Sequence, residues 1–106
     1  MVKRNIVWSK TATRQLHHIL DYWLNRNKSI AYPNKILDLV DEYTEMIIQR
    51  PLSFRLCGHN SNRVCIIGVF SIYFKVKSSK IIITSFWDNR QDPKKITKIL
   101  RRRNGT

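Results

Sequence analysis

The spacing of apolar residues changes once along this chain, at Arg50–Pro51, and this change limits the folds that it can adopt. Before Pro51 the apolar residues recur every three or four positions, which is typical of amphipathic helices. After it, short alternating or β-branched runs are separated by turn residues, which indicates strands. With 106 residues, 42% of them hydrophobic, the chain can fill one core and is too apolar for a disordered polypeptide. We therefore expect a single α+β domain over residues 1–106.

The first half predicts a strand followed by a helical hairpin. Asn5 to Trp8 is a short β-rich run, and Ser9 is suited to cap a helix from about Lys10 to Asn25. Residues 25–28 then form a polar turn. A second helix begins at Ser29 or Ala31 and ends at Arg50–Pro51. Its apolar stripe consists of Ile36, Leu39, Val40, Tyr43 and Ile47.

The second half predicts a three-stranded antiparallel meander. The strands are Arg63 to Ile67, Ser71 to Val76 and Ile81 to Trp87, with Gly68–Val69 as a tight turn between the first two. Because the last strand is apolar on both faces at its start, we expect it to be central. The N-terminal strand joins this sheet, and the helices cover one side of it. A short helix follows over Lys94 to Leu100, and residues 101–106 form a basic tail.

The charge of the chain indicates a polyanionic partner. Lys and Arg number 20 against 7 Asp and Glu, a formal net charge of +13. Residues 75–106 hold ten basic residues against Asp88 and Asp92. A field of this strength attracts nucleic acid, an acidic protein or an anionic membrane. No apolar run approaches the roughly 20 residues of a membrane-spanning helix, so we expect no membrane partner.

The cysteines and histidines do not predict a metal site. Cys57, His59 and Cys65 are one ligand short of a structural zinc set and are irregularly spaced. No phosphate-binding glycine motif is present either, so we expect neither metal nor cofactor. Since no export signal precedes the first strand, we expect Cys57 and Cys65 to be reduced thiols in the cytoplasm.

Several sequence segments, in their order, resemble the RelE/ParE superfamily of bacterial toxins from type II toxin–antitoxin pairs. The segments are Ile6-Val7-Trp8-Ser9, Asp21-Tyr22-Trp23, the helix end at Arg50-Pro51, Ile72 to Val76, and Ile81 through Phe86-Trp87-Asp88-Asn89-Arg90-Gln91-Asp92-Pro93. The resemblance implies a toxin that inhibits growth, contributes to plasmid stabilization and forms a hetero-oligomer with an acidic antitoxin. It also implies the RelE/ParE fold of strand, helical hairpin, meander and short C-terminal helix.

The resemblance leaves two activities, of which the ParE-like one is favoured. RelE-like members cut messenger RNA at the ribosome and carry an arginine just after an aromatic residue on the middle meander strand. Here Phe70 is followed by Ser71, which cannot balance the charge of a phosphate. The ending Trp87-Asp88-x-Arg90-x-Asp92-Pro93 is also more ParE-like. We therefore expect inhibition of DNA gyrase without catalysis, with a ribosome-dependent endoribonuclease as the alternative.

Candidate site residues follow from both activities. Under the ribonuclease alternative, Arg90 matches a family position that carries a basic residue, and Arg63 or Arg55 compensates for Ser71 from a neighbouring strand. His59 is the candidate general base, because histidine changes charge near neutral pH. Arg90 has a second interpretation as the ion-pair partner of Asp88 or Asp92. The residues expected to contact an antitoxin or nucleic acid are Arg55, Arg63, Tyr73, Lys75, Arg90, Lys94, Lys95, Lys98, Arg101, Arg102 and Arg103.

Overall fold

A computed structural model describes residues 4–101 of the chain and contains one four-stranded sheet. The elements are β1 (Asn5–Trp8), α1 (Lys10–Asn27), α2 (Ala31–Gln49), a 3₁₀ turn (Pro51–Ser53), β2 (Arg63–Ile67), β3 (Phe70–Val76), β4 (Lys80–Asp88) and α3 (Pro93–Arg101). The strand order is β1-β4-β3-β2, with β1 parallel to β4 and the other pairs antiparallel. This arrangement confirms the predicted α+β architecture and the central position of β4.

The first helix of the hairpin begins and ends at residues whose hydrogen bonds and backbone conformation suit those positions. The Ser9 hydroxyl oxygen accepts a hydrogen bond from the Ala12 N–H at 3.0 Å, as predicted for a cap of α1. The helix continues two residues beyond the predicted end at Asn25. Lys28 then adopts the left-handed conformation, with φ of 51°, and its N–H bonds to the Leu24 carbonyl at 3.0 Å.

The second helix tolerates its proline because of where the helix begins. Pro33 is the third residue of α2, in the first turn, where a missing N–H breaks no helical hydrogen bond. The helix ends at Gln49, just before Pro51, as the sequence predicts. No helix within residues 4–101 is long and apolar enough to cross a membrane.

A shared core fixes the hairpin on one face of the sheet. Ile72 and Phe74 of β3 point into it, and the pairing of β3 with β4 shifts by one residue between Tyr73 and Phe74. The shift keeps Phe74 opposite Ile83 on the same face. The fully buried members of this core include Ala12, Ile36, Ile47, Ile72, Phe74, Ile81, Ile83 and Phe86.

The prediction that all helices cover one side of the sheet is wrong. Tyr73 and Trp87 alternate with the core residues along their strands, so they point to the opposite face. There they pack against Ile96 and Leu100 of α3. α3 covers that second face because its apolar residues pack against the apolar side chains that the strands present there.

The last helix is one residue longer at each end than predicted. It begins at Pro93, and the Asp92 carboxylate caps it by accepting a hydrogen bond from the Lys94 N–H at 2.9 Å. It ends at Arg101, which therefore belongs to the helix rather than to the predicted tail. Arg102 and Arg103 lie outside the described residues.

Candidate partner-binding site

Arg90 lies just after β4 and forms an ion pair with Asp88, one of the two partners that the sequence allowed. Its Nε donates to Oδ1 at 2.9 Å and its Nη2 donates to Oδ2 at 2.7 Å. The backbone N–H of Arg90 donates to the same Oδ1 at 2.9 Å. These hydrogen bonds from Arg90 lower the pKa of Asp88, and the bond to Asp88 raises the pKa of Arg90. The two charges therefore balance each other at neutral pH.

The guanidinium of Arg90 also lies against aromatic rings from two other elements, α1 and β3. Its Cζ is 5.3 Å from the centre of the Trp23 ring and 5.9 Å from that of Phe70. Trp23 in turn meets Tyr32 of α2 edge to face, with ring centres 4.9 Å apart. The Arg90 side chain is 47% exposed, so it is partly open to solvent. The Asp88 carboxylate accepts hydrogen bonds from two of the five side-chain N–H donors of Arg90.

A groove runs along α1 beside this cluster. One cavity of about 510 Å³ is lined by His18, Ile19, Tyr22, Trp23, Arg26, Asp88, Arg90 and Gln91. A second, of about 220 Å³, is lined by Arg14, Gln15, His18, Ile19, Phe86, Trp87 and Gln91. The two cavities share His18, Ile19 and Gln91, so they lie next to each other along α1. We call the two cavities together, with the residues just given, the α1 groove.

The charges of the α1 groove favour an anionic partner with apolar side chains. Arg14, Arg26 and Arg90 line it, and Arg90 is paired with Asp88, the one acid among its lining residues. The net positive charge of the groove therefore comes from Arg14 and Arg26. Ile19 and Trp23 supply apolar surface between the arginines. The groove therefore combines positive charge with an apolar wall.

Three of the predicted site residues meet on the other face of the sheet. Arg55, His59 and Tyr73 line a cavity of about 360 Å³ between α3 and the sheet. Burial raises the pKa of Tyr73, so its hydroxyl stays protonated at neutral pH. Ser71, in the same cavity, is buried and donates a hydrogen bond to the Asn89 side-chain oxygen at 2.9 Å. These residues share a site with one another but not with Arg90.

The three candidate catalytic residues line three different cavities. Arg90 belongs to the α1 groove and His59 to the cavity under α3. Arg63 lies at the opposite end of β2 from the turn that leads to β3, and its Nη1 donates to the Phe54 carbonyl at 2.6 Å. The structure therefore does not bring Arg90, Arg63 and His59 together.

The remaining predicted contact residues lie on or beside α3. Lys94, Lys95, Lys98 and Arg101 are exposed on that helix, and Lys75 of β3 is half-buried beside its C-terminal half. Cys57 and Cys65 are free thiols, and burial raises the pKa of Cys65 to about 11. In the described part of the chain, no three His, Cys, Asp or Glu side chains are grouped so as to hold a metal ion.

Two polar residues with structural importance were not singled out from the sequence. The Asn62 side chain is buried; its Nδ2 donates to the His59 carbonyl at 3.0 Å and its Oδ1 accepts from Thr84. The Gln15 Oε1 accepts a hydrogen bond from the Phe86 N–H at 2.9 Å. The signal for Gln15 was present, because it lies three residues after Ala12 on the apolar stripe of α1. For Asn62 the sequence holds no comparable signal.

Comparisons with known proteins agree with this fold. The family described as ParE toxin of type II toxin-antitoxin system, parDE, matches residues 6–93 of the chain. Among solved structures, a chain of the chromosomal ParDE TA system from P. aeruginosa is similar, with a TM-score of 0.53 and 22% sequence identity. That match covers 76% of this chain and 90% of the other. A comparison with curated proteins gave no match.

Proposed function

Because the chain belongs to the ParE toxin family of type II toxin–antitoxin systems, we propose that it arrests growth by inhibiting DNA gyrase and that an acidic antitoxin neutralises it. The observation that carries the gyrase assignment is the separation of Arg90, Arg63 and His59 into three cavities. Cleavage of RNA requires a base, an acid and a balancing cation around one phosphate. A protein that inhibits gyrase by binding has no such requirement.

The surroundings of Ser71 and Arg63 also support a non-catalytic toxin. Ser71 occupies the position at which a RelE-like ribonuclease has an arginine, and its hydroxyl is buried and bonded to Asn89. Arg63 is bonded to the Phe54 carbonyl, so it does not replace the missing charge at that position. The guanidinium of Arg90 is balanced by Asp88. Neither Arg63 nor Arg90 therefore supplies a free cation beside Ser71, and of the candidate cations only Arg55 lines the same cavity.

The assignment of an acidic antitoxin rests on charge. The chain carries a formal net charge of +13, and the α1 groove is lined by two arginines, Arg14 and Arg26, besides the paired Arg90 and Asp88. An acidic segment that orders on contact gains electrostatic attraction along such a groove. The similar P. aeruginosa chain comes from a toxin–antitoxin system, which supports a partner of this kind.

A second function, ribosome-dependent cleavage of messenger RNA, is favoured by one observation. Arg55, His59 and Tyr73 share the cavity under α3. There Arg55 would balance phosphate charge, His59 would act as the base and the protonated Tyr73 would donate to the leaving oxygen. Tyr73→Phe removes that donor and changes little else, so it tests this alternative directly.

Two assays on the purified protein separate the functions. We expect the wild-type chain to inhibit DNA supercoiling by gyrase, and primer extension on ribosome-bound messenger RNA to show no codon-specific cleavage. Tyr73→Phe should leave both results unchanged. Cleavage by the wild type that disappears in Tyr73→Phe would establish the ribonuclease instead.

The antitoxin is tested by co-expression with the adjoining reading frames. We expect a small acidic protein to co-purify with the chain and to release gyrase from inhibition. Because the attraction is electrostatic, the complex should weaken as salt rises. If no neighbouring product is retained at low salt, the proposed neutralisation is wrong.

A further inference from the structure

We propose that a cavity at the start of β4 binds the phosphate backbone of duplex DNA. The cavity has a volume of about 470 Å³, and its lining residues are Arg4, Leu52, Leu56, Ser61, Arg63, Val76, Lys77 and Ser78. We call this cavity the basic pocket. The inference rests on the proposed function in one respect only, namely that gyrase is where the chain meets a duplex.

The positive charge of the basic pocket is not balanced by the protein. Arg4, Arg63 and Lys77 line the pocket, and no Asp or Glu is among its lining residues. In the part of the chain that the structure describes, the one ion pair joins Arg90 to Asp88, so these three cations have no carboxylate partner there. A phosphate that enters the pocket therefore meets three charges that are free to bind it.

The two arginines of the basic pocket are fixed by groups that leave their charge free. The Arg4 Nε donates to the Lys77 carbonyl at 2.8 Å. The Arg63 Nη1 donates to the Phe54 carbonyl at 2.6 Å. A carbonyl carries no net charge, so it orients a guanidinium without neutralising it, unlike the carboxylate that pairs with Arg90. An arginine oriented in this way suits the planar edge of a phosphate.

Two lysines at the turn between β3 and β4 add positive charge beside the pocket. Lys77 and Lys80 lie opposite each other across this turn, and the Lys77 N–H donates to the Lys80 carbonyl at 2.8 Å. Both residues are exposed. Like charges directly opposite each other on paired strands are unfavourable. A phosphate beside them therefore relieves a repulsion that is present in the free protein.

The lining residues favour a duplex backbone over other polyanions. Proteins bind single strands without sequence preference by stacking the bases on aromatic rings, and no Phe, Tyr or Trp lines this pocket. Phosphate contacts come from arginine, lysine and serine side chains, which are the polar residue types found here. Leu52 and Leu56 are 62% and 57% exposed and do not pack against the core. They therefore form no enclosed apolar wall for the side chains of an acidic peptide.

The basic pocket is separate from the α1 groove. Arg4 precedes β1, whose Asn5 pairs with Lys80 at the start of β4. Asp88 and Arg90 of the groove lie at the end of β4 and just after it. The nine residues of β4 span about 26 Å. DNA bound in the pocket therefore leaves the α1 groove open.

Fluorescence anisotropy tests the pocket with a labelled duplex of about 20 base pairs, which is about two helical turns. The unlabelled competitors are oligothymidylate and poly-L-glutamate, each at a concentration of charge equal to that of the duplex. We expect two duplexes of unrelated sequence to bind the full chain equally, because phosphate contacts carry no sequence information. We expect neither competitor to displace more than half of the duplex. Displacement by oligothymidylate would overturn the inference in favour of single strands, and displacement by poly-L-glutamate would overturn it in favour of an acidic protein.

Three variants that each remove one positive charge locate the contact, namely Arg4→Gln, Arg63→Gln and Lys77→Gln. In each of them the slope of log K against log salt should become less negative by about 0.9, the value for one phosphate contact on duplex DNA. Between about 1 M and about 0.1 M salt, this difference amounts to a roughly eightfold loss of affinity. Lys77→Gln changes an exposed side chain, so it tests the pocket even if Arg63→Gln does not fold.

Two control variants separate the pocket from net charge and from side-chain loss. Lys35→Gln, on the exposed face of α2, also removes one positive charge and should keep the wild-type slope and affinity. Arg63→Lys keeps the charge of the pocket, so it should keep the wild-type slope as well. A change of slope in Lys35→Gln equal to that in the pocket variants would show attraction to net charge alone and would overturn the inference.

The outcomes also distinguish this inference from the proposed function. If Lys98→Gln on α3 changes the slope and the pocket variants do not, the duplex binds α3 and the pocket is wrong. If the duplex binds as expected but the wild type does not inhibit gyrase, the gyrase proposal fails and the pocket stands. If gyrase is inhibited and the pocket variants bind the duplex as the wild type does, only the pocket is wrong.

Discussion

Replacement of Arg90 by alanine should destabilise the fold, although Arg90 is half-exposed. The substitution removes both side-chain hydrogen bonds to Asp88 and the contact with the Trp23 ring. It leaves the Asp88 side chain, which is only 12% exposed, with a charge that lacks its partner. The loss therefore includes the desolvation of a carboxylate as well as the attraction itself.

The size of the effect follows from the exposure of the two side chains. A hydrogen bond to a charged group contributes about 1.5–3 kcal/mol, whereas an exposed ion pair contributes about 0–1 kcal/mol. With 47% of Arg90 and 12% of Asp88 exposed, this pair lies between those limits. The contact with Trp23 adds about 0.5–1 kcal/mol. We expect Arg90→Ala to lower the free energy of unfolding by about 2 kcal/mol, which for a domain of this size lowers Tm by about 10 °C.

A double-mutant cycle with Asp88→Asn isolates the ion pair. Urea and thermal unfolding at neutral pH, followed by circular dichroism, give the free energy for each single variant and the double variant. We expect the double variant to be about 1–2 kcal/mol more stable than the sum of the single effects predicts. Arg90→Lys keeps the charge but not the two-bond geometry, so it should recover less than half of the loss. Additive effects would refute the reasoning, because they would show that the pair contributes no coupling.

Arg90→Ala also tests the proposed function, through its effect on the growth of the host and on the integrity of cellular messenger RNA. Under the gyrase proposal, Arg90→Ala weakens toxicity, and cellular messenger RNA stays intact with either protein. The control is the double variant Arg90→Ala, Asp88→Asn. It lacks the same guanidinium but does not leave a charged Asp88 without its partner, so it separates the loss of stability from the loss of the guanidinium. Codon-specific cleavage by the wild type that is lost in Arg90→Ala would contradict the gyrase proposal.

Four further substitutions test other parts of the structure. Trp23→Ala should cost about 2–4 kcal/mol in urea unfolding, below the value for a fully buried ring because Trp23 is half-buried; an unchanged midpoint would show that the ring does not pack on the core. Asn62→Ala should cost about 1–3 kcal/mol, since it leaves the buried Thr84 hydroxyl without its acceptor, whereas the His59 carbonyl keeps its bond from the backbone N–H of residue 62. In that case Thr84→Val should cost less in the Asn62→Ala background than in the wild type. Gly68→Ala should cost about 1 kcal/mol, because φ is +58° although no atom lies within 4 Å of the added Cβ. Arg90 lowers the pKa of Asp88, so the ionised Asp88 contributes stability above its unfolded pKa of about 3.9, and this contribution is lost as pH falls through the folded pKa. The free energy of unfolding of Asp88→Asn should therefore depend less steeply on pH than that of the wild type below about pH 5.

Features that depend on neighbouring residues in the chain were predictable from the sequence. The Ser9 cap, the position of Pro33 in the first turn of α2 and the Gly68 turn each follow from the conformational limits of a single residue. The bounds of β1 and β2 also agree with the prediction. The end of α1 was missed because Arg26 and Asn27 are compatible with both a helix and a turn. The left-handed Lys28, which closes the last turn, is not marked by a glycine.

The direction and register of distant strand pairs, and the contacts that depend on them, were not predictable. The pairing of β1 with β4 joins segments whose own patterns carry no information about direction. The position of α3 depends on which face of the sheet the hairpin leaves uncovered, so it follows only once both are placed. Residue types identified Arg90 as a candidate, but its contact with Trp23 depends on how α1 lies against β4. The hydrogen bond of Asn62 to Thr84 joins residues 22 positions apart and depends on the register of the sheet in the same way.

The parallel pairing of β1 with the central strand has a consequence for the order of folding during synthesis. The Ser9 hydroxyl meets the Thr84 carbonyl across 75 positions of chain, and Asn5 to Trp8 pair with Lys80 to Ile83. Until β4 leaves the ribosome, β1 has no strand to pair with, and α1 has no central strand to pack on. Contacts of such long range form late because the intervening chain must first be closed into a loop. The α1 groove, built from α1 and the end of β4, is therefore absent from a nascent chain until the residues up to Gln91 have been made.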